Sequence, residues 1–289
     1  MRIAAAVLAL FLADAAGAER CSALSGERTV ALVELYTSQG CSSCPPADRW
    51  LSGLGARGYV PQRVVPLSLH VDYWDYIGWK DPYAKGEFSA RQRKLTQLQR
   101  SALVYTPQVL LQGRDFRRWG SAAFDEAVAR INAQAAKARI ALEIRSVGRQ
   151  ALEVEARAEL LDRTQKDDAA LYLATYENKL SNRVTAGENR GRTLAHDYAV
   201  LEWEGPFAFS RDARLLEQRV LPLLPEAVPA NSGVVGFVQN RSTTEVLQAL
   251  MLPACPAFAP ATRNVARKAS IWPTSSPPMR TCSSGVASW

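Results

Sequence analysis

Cys41 and Cys44 are the residues whose type and spacing most clearly point to chemistry in this chain of 289 residues. Two thiols separated by two residues can close a small disulfide and open it again through a mixed disulfide with a substrate. The segment CSSCPP places prolines directly after the pair, and proline is typical of the first turn of a helix. We therefore expect both cysteines on the first turn of a helix, where free N–H groups and the helix dipole lower the pKa of the thiol nearer the end. That thiol is Cys41, which we expect to be exposed and to attack the substrate, while Cys44 resolves the mixed disulfide.

The elements around the pair follow from the pattern of apolar residues. Residues 30–37 form an almost continuous run of strand-forming apolar residues, which is typical of a strand buried on both faces. The cysteines are therefore expected at a junction between a strand and a helix. The first region has the predicted order β-α-β-α-β-β-α, with elements at residues 30–37, 47–54, 63–69, 83–102, 108–112, 117–119 and 121–137.

The pattern changes to alternation after residue 138. Ile140, Leu142 and Ile144 alternate with mostly charged residues, which predicts a strand with one buried face and one solvent-exposed face. Further strands are predicted at residues 170–176, 183–186, 193–203, 214–221 and 233–239, with a short helix near residues 245–251. The sequence therefore predicts an α/β domain at residues 27–137, an all-β sandwich-like domain at residues 138–255 and a disordered basic tail at residues 256–289.

Residues 1–18 have the layout of a secretory signal peptide, with Arg2, an apolar run and small residues ending at Ala18. We therefore expect export, to the bacterial periplasm or out of the cell, where disulfides persist. A disulfide between Cys21 and Cys255 is one arrangement of the remaining cysteines, and it leaves Cys282 as the odd one. The apolar run is too short to span a membrane and no later run is longer, so we expect no membrane-spanning segment.

The formal net charge of +7 is concentrated at the end of the chain. Residues 256–289 contain four basic residues and no acidic residue, so the rest of the chain is only weakly basic. A weakly basic body without a basic stripe argues against a nucleic-acid partner.

The order of the first elements resembles the thioredoxin fold, in which a strand leads into a CxxC pair and an X-Pro pair begins a later strand. Here the X-Pro pair is Thr106-Pro107. The resemblance implies a cis bond before Pro107 and a backbone at Thr106 that pairs with a substrate strand beside Cys41. In the alternative interpretation, Pro107 only begins an edge strand.

Four longer phrases are similar to the secreted bacterial family known as domain of unknown function 1223. They occur in order over about residues 30–250 and read VELYTSQGCSSCPPADRWL, HVDYWDYIGWKDPYA with Arg91-Gln92 after it, YTPQVLLQG and VTAGENRGRTLAHDY. The resemblance implies a thioredoxin-like α/β domain followed by a β-rich domain, and it implies no particular substrate.

Polar and aromatic residues follow the second predicted strand. If this strand is parallel to the first, both end at the same edge of the sheet, which brings His70, Asp72 and Trp74 near the dithiol. His70 is then either a proton carrier or a packed core residue. Trp74 is either part of an apolar rim for a peptide or a core aromatic.

Three more charged residues have two interpretations each. Glu34 is a candidate for the buried acid that exchanges protons with the resolving thiol in similar oxidoreductases, although a register shift of one residue places it on the other face. Arg91 either reaches the rim or belongs to a solvated helix face. Asp48 shares a helix face with Cys44, and the simpler account is a first-turn acid favoured by the helix dipole. Residues 187–192 are interpreted as a hairpin turn.

The sequence thus favours an exported thiol–disulfide oxidoreductase or thiol sensor, with Cys41, Cys44, Thr106 and Pro107 in its site. Its partner is expected to be a protein or a small thiol or disulfide, and the chemistry needs no organic cofactor. The competing class is a non-catalytic envelope binding module, which either captures a soft ion such as Cu(I) with the dithiol or binds a partner while the disulfide stays closed. Structural zinc requires a second pair of ligands, which the sequence does not offer, so no metal site is predicted.

Overall fold

The computed structural model of the protein describes residues 20–101, 103–146 and 150–254. These ranges are rich in strands and contain three α-helices, α1 (Pro45–Ser52), α2 (Gly86–Leu98) and α3 (Ala122–Asn132). The strands are β1 (Arg20–Leu24), β2 (Ala31–Thr37), β3 (Val64–His70), β4 (Gln108–Leu111), β5 (Arg114–Asp115), β6 (Ala138–Ser146), β7 (Ala151–Leu160), β8 (Ala169–Glu177), β9 (Leu180–Arg183), β10 (Thr193–His196), β11 (Ala199–Ala208), β12 (Arg214–Pro222), β13 (Ser232–Asn240) and β14 (Val246–Pro253). No helix in this part of the chain is long and apolar enough to cross a membrane.

Eight strands form one mixed sheet in the order β14-β13-β8-β11-β3-β2-β4-β5. β2 and β3 are parallel and in register up to Thr37 opposite His70, so both strands end at the same edge. β11 lies parallel beside β3 and antiparallel to β8. The sheet is therefore built from strands of both predicted regions, residues 27–137 and residues 138–255.

β2 is buried along its whole length because helices or strands cover both of its faces. Ala31, Val33 and Leu35 share one apolar cluster with α1 and α3. Leu32 and Tyr36 share another cluster with α2, β8 and β13. α1 and α2 therefore lie on opposite faces of the sheet, which explains the continuous apolar run in the sequence.

A second sheet of four antiparallel strands has the order β1-β6-β7-β12. The predicted alternation in β6 is confirmed, since Ile140, Leu142 and Ile144 are buried. These side chains pack in one cluster with Leu171 of β8 and Val234 of β13. The four-stranded sheet therefore packs against the end of the eight-stranded sheet that contains β13 and β14.

Several predicted elements are corrected. The helix expected at residues 245–251 is wrong, because this segment is strand β14 and pairs with β13. A short apolar run is compatible with a buried strand as well as with a helix. Residues 117–119 do not form a strand, and the chain instead turns at Gln112 and Gly113 into β5.

Cys21 lies in β1, a strand that the sequence pattern does not predict, and it takes part in a disulfide. Cys255 and Cys282 lie outside the described residues. The same is true of the predicted signal peptide at residues 1–18 and of the basic tail at residues 256–289.

The β4–β5 turn has a strict requirement for glycine. Gln112 and Gly113 have φ values of 53° and 74°, which is the geometry of a two-residue type I′ hairpin. A Cβ atom on Gly113 would overlap the carbonyl oxygen of Thr244 in the loop between β13 and β14. This turn therefore joins the two ends of the chain's main sheet through close backbone packing.

We expect Gly113→Ala to lower the free energy of unfolding by about 3 kcal/mol, because it combines an unfavourable φ with a backbone overlap. Gly120→Ala is the matched control, since no atom lies within 4 Å of a Cβ at that position. Urea unfolding followed by circular dichroism measures the free energy of unfolding of both variants. Equal stability of the two variants would contradict the close packing at Gly113.

Candidate functional site

Cys41 and Cys44 form a disulfide with a Cα–Cα distance of 5.5 Å. The pair lies between β2 and α1, as predicted, but the helix begins only at Pro45 and Cys44 is its N-cap residue. Cys41 lies in the preceding turn, in which the N–H of Cys44 donates to the carbonyl oxygen of Cys41. The expected position on the first helical turn is therefore wrong, because Pro45 and Pro46 occupy that turn themselves.

The start of α1 offers the cysteines no free N–H groups. Pro45 and Pro46 have none, and the N–H groups of Ala47 and Asp48 both donate to the carbonyl oxygen of Cys44. The polar atom beside the sulfur of Cys41 is instead the hydroxyl of Ser43, with an Sγ–Oγ distance of 3.3 Å. The expected stabilisation of a Cys41 thiolate by helix N–H groups is thus corrected.

The two cysteine residues are also not exposed. Cys41 is 1% exposed and Cys44 is fully buried, whereas Ser42 and Ser43 between them are exposed. The expectation of a solvent-exposed Cys41 is therefore wrong. Several of the side chains that contact this turn come from residues 187–192, which we call the cover loop.

Two residues of the cover loop bind the turn that contains Cys41. The side-chain amide of Asn189 is buried and donates to the carbonyl oxygens of Gln39 and Cys41, both at 2.9 Å. A carboxylate oxygen of Glu188 accepts from the N–H of Ser42 at 2.9 Å. Hydrogen bonding by the side chain and the N–H of Ser42 lowers the pKa of Glu188. The predicted hairpin turn is present, since the N–H of Gly191 donates to the carbonyl of Val184, but it also packs on the disulfide.

The carboxylate of Asp81 connects the cysteine turn to the end of β3. One oxygen accepts from the N–H of Gln39 at 2.8 Å and from Nδ1 of His70 at 2.7 Å. The other oxygen accepts from the N–H of Tyr83 at 3.0 Å. Burial acts to raise the pKa of Asp81, but His70 and these N–H groups hold it below its usual value.

Both histidines of the chain lie in this buried region. His70 is fully buried; burial acts to lower its pKa, but the Asp81 carboxylate outweighs that effect and raises it. The ring of His196 lies 4.7 Å from that of His70, and its Nε2 is 3.1 Å from the side-chain nitrogen of Gln39. Burial, with a further contribution from the charge of His70, lowers the pKa of His196 to about 3, so His196 is neutral.

Asp48 is a buried acid one helical turn after Cys44. It belongs to the buried face of α1, and burial raises its pKa from 3.8 to about 6, partly offset by the charge of His70. One of its carboxylate oxygens has no hydrogen-bond partner among the described residues. Asp48 is thus an acid of the first turn, as predicted, but it is buried and its pKa is raised.

Thr106 and Pro107 are connected to the cysteine turn through Trp74. The Thr106–Pro107 bond is cis, as the resemblance implied. The indole N–H of Trp74 donates to the hydroxyl of Thr106 at 2.7 Å, and the same side chain packs against Gly40, next to Cys41. Trp74 therefore lies between the disulfide turn and the segment that contains Pro107.

Asp72, the other polar residue predicted near the dithiol, points elsewhere. It is exposed, and its carboxylate accepts a hydrogen bond from the hydroxyl of Ser89 in α2. Of the three residues predicted at this edge, the structure therefore brings His70 and Trp74 to the cysteine turn, while Asp72 contacts α2.

Glu34 and Arg91 do not lie at the disulfide. The carboxylate of Glu34 accepts from Nε of Arg91 at 2.7 Å on the α2 face of the sheet, opposite α1. The guanidinium of Arg91 lies 4.7–5.3 Å from the ring centroids of Tyr172, Trp203 and Phe237. The candidate role of Glu34 beside Cys44 and that of Arg91 at the rim are thus corrected, and the pair is a buried ion pair of the core.

A family model described as protein of unknown function (DUF1223) matches residues 32–239. The chain belongs to this family. Similar solved structures include the crystal structure of protein AGR_C_4864 from Agrobacterium tumefaciens, with 26% identity, a TM-score of 0.55, and coverage of 80% of this chain and 97% of that one. HBP35 of Porphyromonas gingivalis has 14% identity, a TM-score of 0.61, and coverage of 85% and 82%. A search of curated proteins finds no match.

Asp81 and Asn189 are site residues of this DUF1223 chain that were not predicted from the sequence. Asp81 is part of the family phrase HVDYWDYIGWKDPYA at the end of β3. Its position in that phrase could have indicated a functional residue. Asn189 belongs to another of the family phrases, VTAGENRGRTLAHDY, but it lies 148 residues from Cys41, and no local pattern connects the two residues. Among the described residues, no cluster of three or more His, Cys, Asp or Glu side chains could hold a metal ion.

Removal of one partner of the Glu34–Arg91 pair leaves a buried charge without compensation. We therefore expect Glu34→Ala to lower the free energy of unfolding by about 3–5 kcal/mol. Glu126→Ala is the control, because its ion pair with Arg130 is 69% exposed on both sides and contributes less than about 1 kcal/mol. Similar losses in both variants, measured by urea unfolding, would contradict a buried ion pair.

The raised pKa of Asp48 makes a specific prediction for stability against pH. The carboxyl ionises at about 3.8 in the unfolded chain and at about 6 in the fold, so wild type loses stability relative to Asp48→Asn as the pH rises through this range. The difference should be small below pH 4 and reach about 3 kcal/mol above pH 6. A pH-independent difference in urea unfolding would show that Asp48 has an ordinary pKa.

Proposed function

We propose that this protein is an exported thiol–disulfide oxidoreductase or thiol sensor whose residues 27–137 form a thioredoxin-like region. The observation that carries the proposal is a disulfide at the N-cap of α1 with a buried carboxyl of raised pKa one turn further on. A static disulfide does not require such an acid, whereas the opening of a disulfide releases a thiolate that must gain a proton. The layout of residues 1–18 supports export.

Exchange begins when a substrate thiolate attacks the sulfur of Cys41. A new S–S bond joins the substrate to Cys41, the Cys41–Cys44 bond breaks, and Cys44 leaves as a thiolate. A second thiolate of the substrate then attacks the substrate sulfur of this mixed disulfide and releases Cys41 as a thiolate. Two electrons pass from the substrate to the protein, and the two protons of the substrate thiols end on Cys41 and Cys44. The reverse sequence reduces a substrate disulfide.

The neighbouring residues have distinct parts in this proposal. Asp48, protonated for part of the time near pH 6, supplies the proton that Cys44 takes up, and acid catalysis of this kind contributes about 10²-fold or more to a rate. The hydroxyl of Ser43 is placed to donate to a Cys41 thiolate. The backbone of Thr106, across Trp74, is the expected place for a substrate strand. Protein or small-molecule thiols and disulfides are the proposed partners.

Turnover of a reporter dithiol by the full-length protein tests the proposal. We expect Cys41→Ser and Cys44→Ser each to abolish turnover and Asp48→Asn to slow it about 100-fold. Asp72→Asn is the matched control, since this carboxylate faces α2, and it should keep the wild-type rate. Equal rates for wild type and both serine variants would refute the oxidoreductase.

The burial of Cys41 favours a second candidate, a non-catalytic envelope binding module whose disulfide stays closed. In that case Cys41, which is 1% exposed, is never attacked and the pair only fixes the turn between β2 and α1. A disulfide that resists millimolar dithiol in the folded protein but opens at once in urea would favour this candidate over exchange.

A further inference from the structure

The β9–β10 hairpin, which contains the cover loop, is separate from the two larger sheets. Among the described residues its strands pair only with each other, from Leu180 opposite His196 to Arg183 opposite Thr193. Hydrogen bonds between the backbones of Val184 and residues 191 and 192 close the base of the loop. A hairpin that no third strand extends depends on side-chain contacts to keep its place.

The cover loop holds one peptide unit of the disulfide turn at both of its polar groups. Asn189 donates to the carbonyl of Cys41, and Glu188 accepts from the N–H of Ser42, which belongs to the same peptide unit. Arg192 donates to the side-chain oxygen of Asn189 at 2.8 Å and so fixes the direction of its amide. The position of the Cys41–Ser42 peptide is thus determined by residues of the cover loop.

The loop also packs closely on the neighbouring segment. Gly187 has a φ of 70°, and a Cβ atom there would lie 3.0 Å from the side chain of Ile77. Ile77 in turn packs against Gly40 of the disulfide turn. The loop, the turn and the segment after β3 therefore form one packed group above the disulfide.

We propose that Glu188 and Asn189 control the access of thiols and disulfides to Cys41, because the cover loop must release the Cys41–Ser42 peptide before a partner reaches the sulfur. The inference rests on the proposed function and deepens it. A thiolate attacks a disulfide sulfur along the S–S axis, and a cysteine that is only 1% exposed does not admit that approach. Release breaks the hydrogen bonds to Cys41 and Ser42 and leaves the disulfide itself intact.

The test is the rate at which excess dithiothreitol opens the Cys41–Cys44 bond of the folded, full-length protein, followed by acid quench, alkylation and mass spectrometry. We expect Glu188→Ala and Asn189→Ala each to raise this rate about tenfold or more, since each removes a hydrogen bond to the turn. Glu188→Gln keeps an acceptor for the N–H of Ser42 and should remain within about threefold of wild type. Circular dichroism verifies that each variant is folded.

Arg190→Ala is the matched control, because the side chain of this exposed residue has no hydrogen bond or ion pair with any described residue, so its rate should equal that of wild type. If Asn189→Ala does not fold, Glu188→Ala decides alone, because Glu188 lies at the surface. Equal rates in wild type and Glu188→Ala would overturn the inference. The opening rate is measured in a single turnover and does not depend on reporter turnover. Faster opening in the cover-loop variants, with no reporter turnover by wild type or any variant, would refute the oxidoreductase function and would still support the role of the cover loop.

Discussion

The disulfide turn depends on one buried carboxylate, that of Asp81. It accepts hydrogen bonds from the N–H of Gln39, the ring of His70 and the N–H of Tyr83. These residues lie in the turn before Cys41, at the end of β3 and in the segment after β3, respectively. A buried charge is costly unless it is paired and fully hydrogen-bonded, and three donors meet that requirement here. The parallel pairing of β2 and β3 makes the arrangement possible, because both strands end at the same edge.

The second half of the chain is part of this site. β11 continues the sheet beside β3, and the hairpin that follows β8 reaches back over the disulfide, where Asn189 and His196 contact the turn. The surroundings of the pair therefore differ from what a CxxC at a helix start suggests on its own. Prolines remove the first N–H groups of α1, and Ser43 and the cover loop provide polar groups at the turn instead.

The sequence was informative where one local pattern decides the outcome. The buried run of β2, the alternation in β6 and the position of the cysteines between strand and helix are such cases. The predicted role of Glu34 was wrong because a shift of one residue reverses the face of a strand. The helix predicted at residues 245–251 was wrong because a short apolar run fits a buried strand as well as a helix. Burial of Cys41 and the role of Asn189 depend on contacts between segments about 150 residues apart, which no local pattern encodes.

The most direct test of exchange at Cys41 is to trap the mixed disulfide. The full-length Cys44→Ser variant lacks the resolving thiol, so incubation of the folded protein with a reporter disulfide should leave one reporter bonded to Cys41, as identified by mass spectrometry of peptides. The account predicts this adduct in the native protein within the time of the turnover assay. An adduct that forms only after unfolding in urea would contradict it.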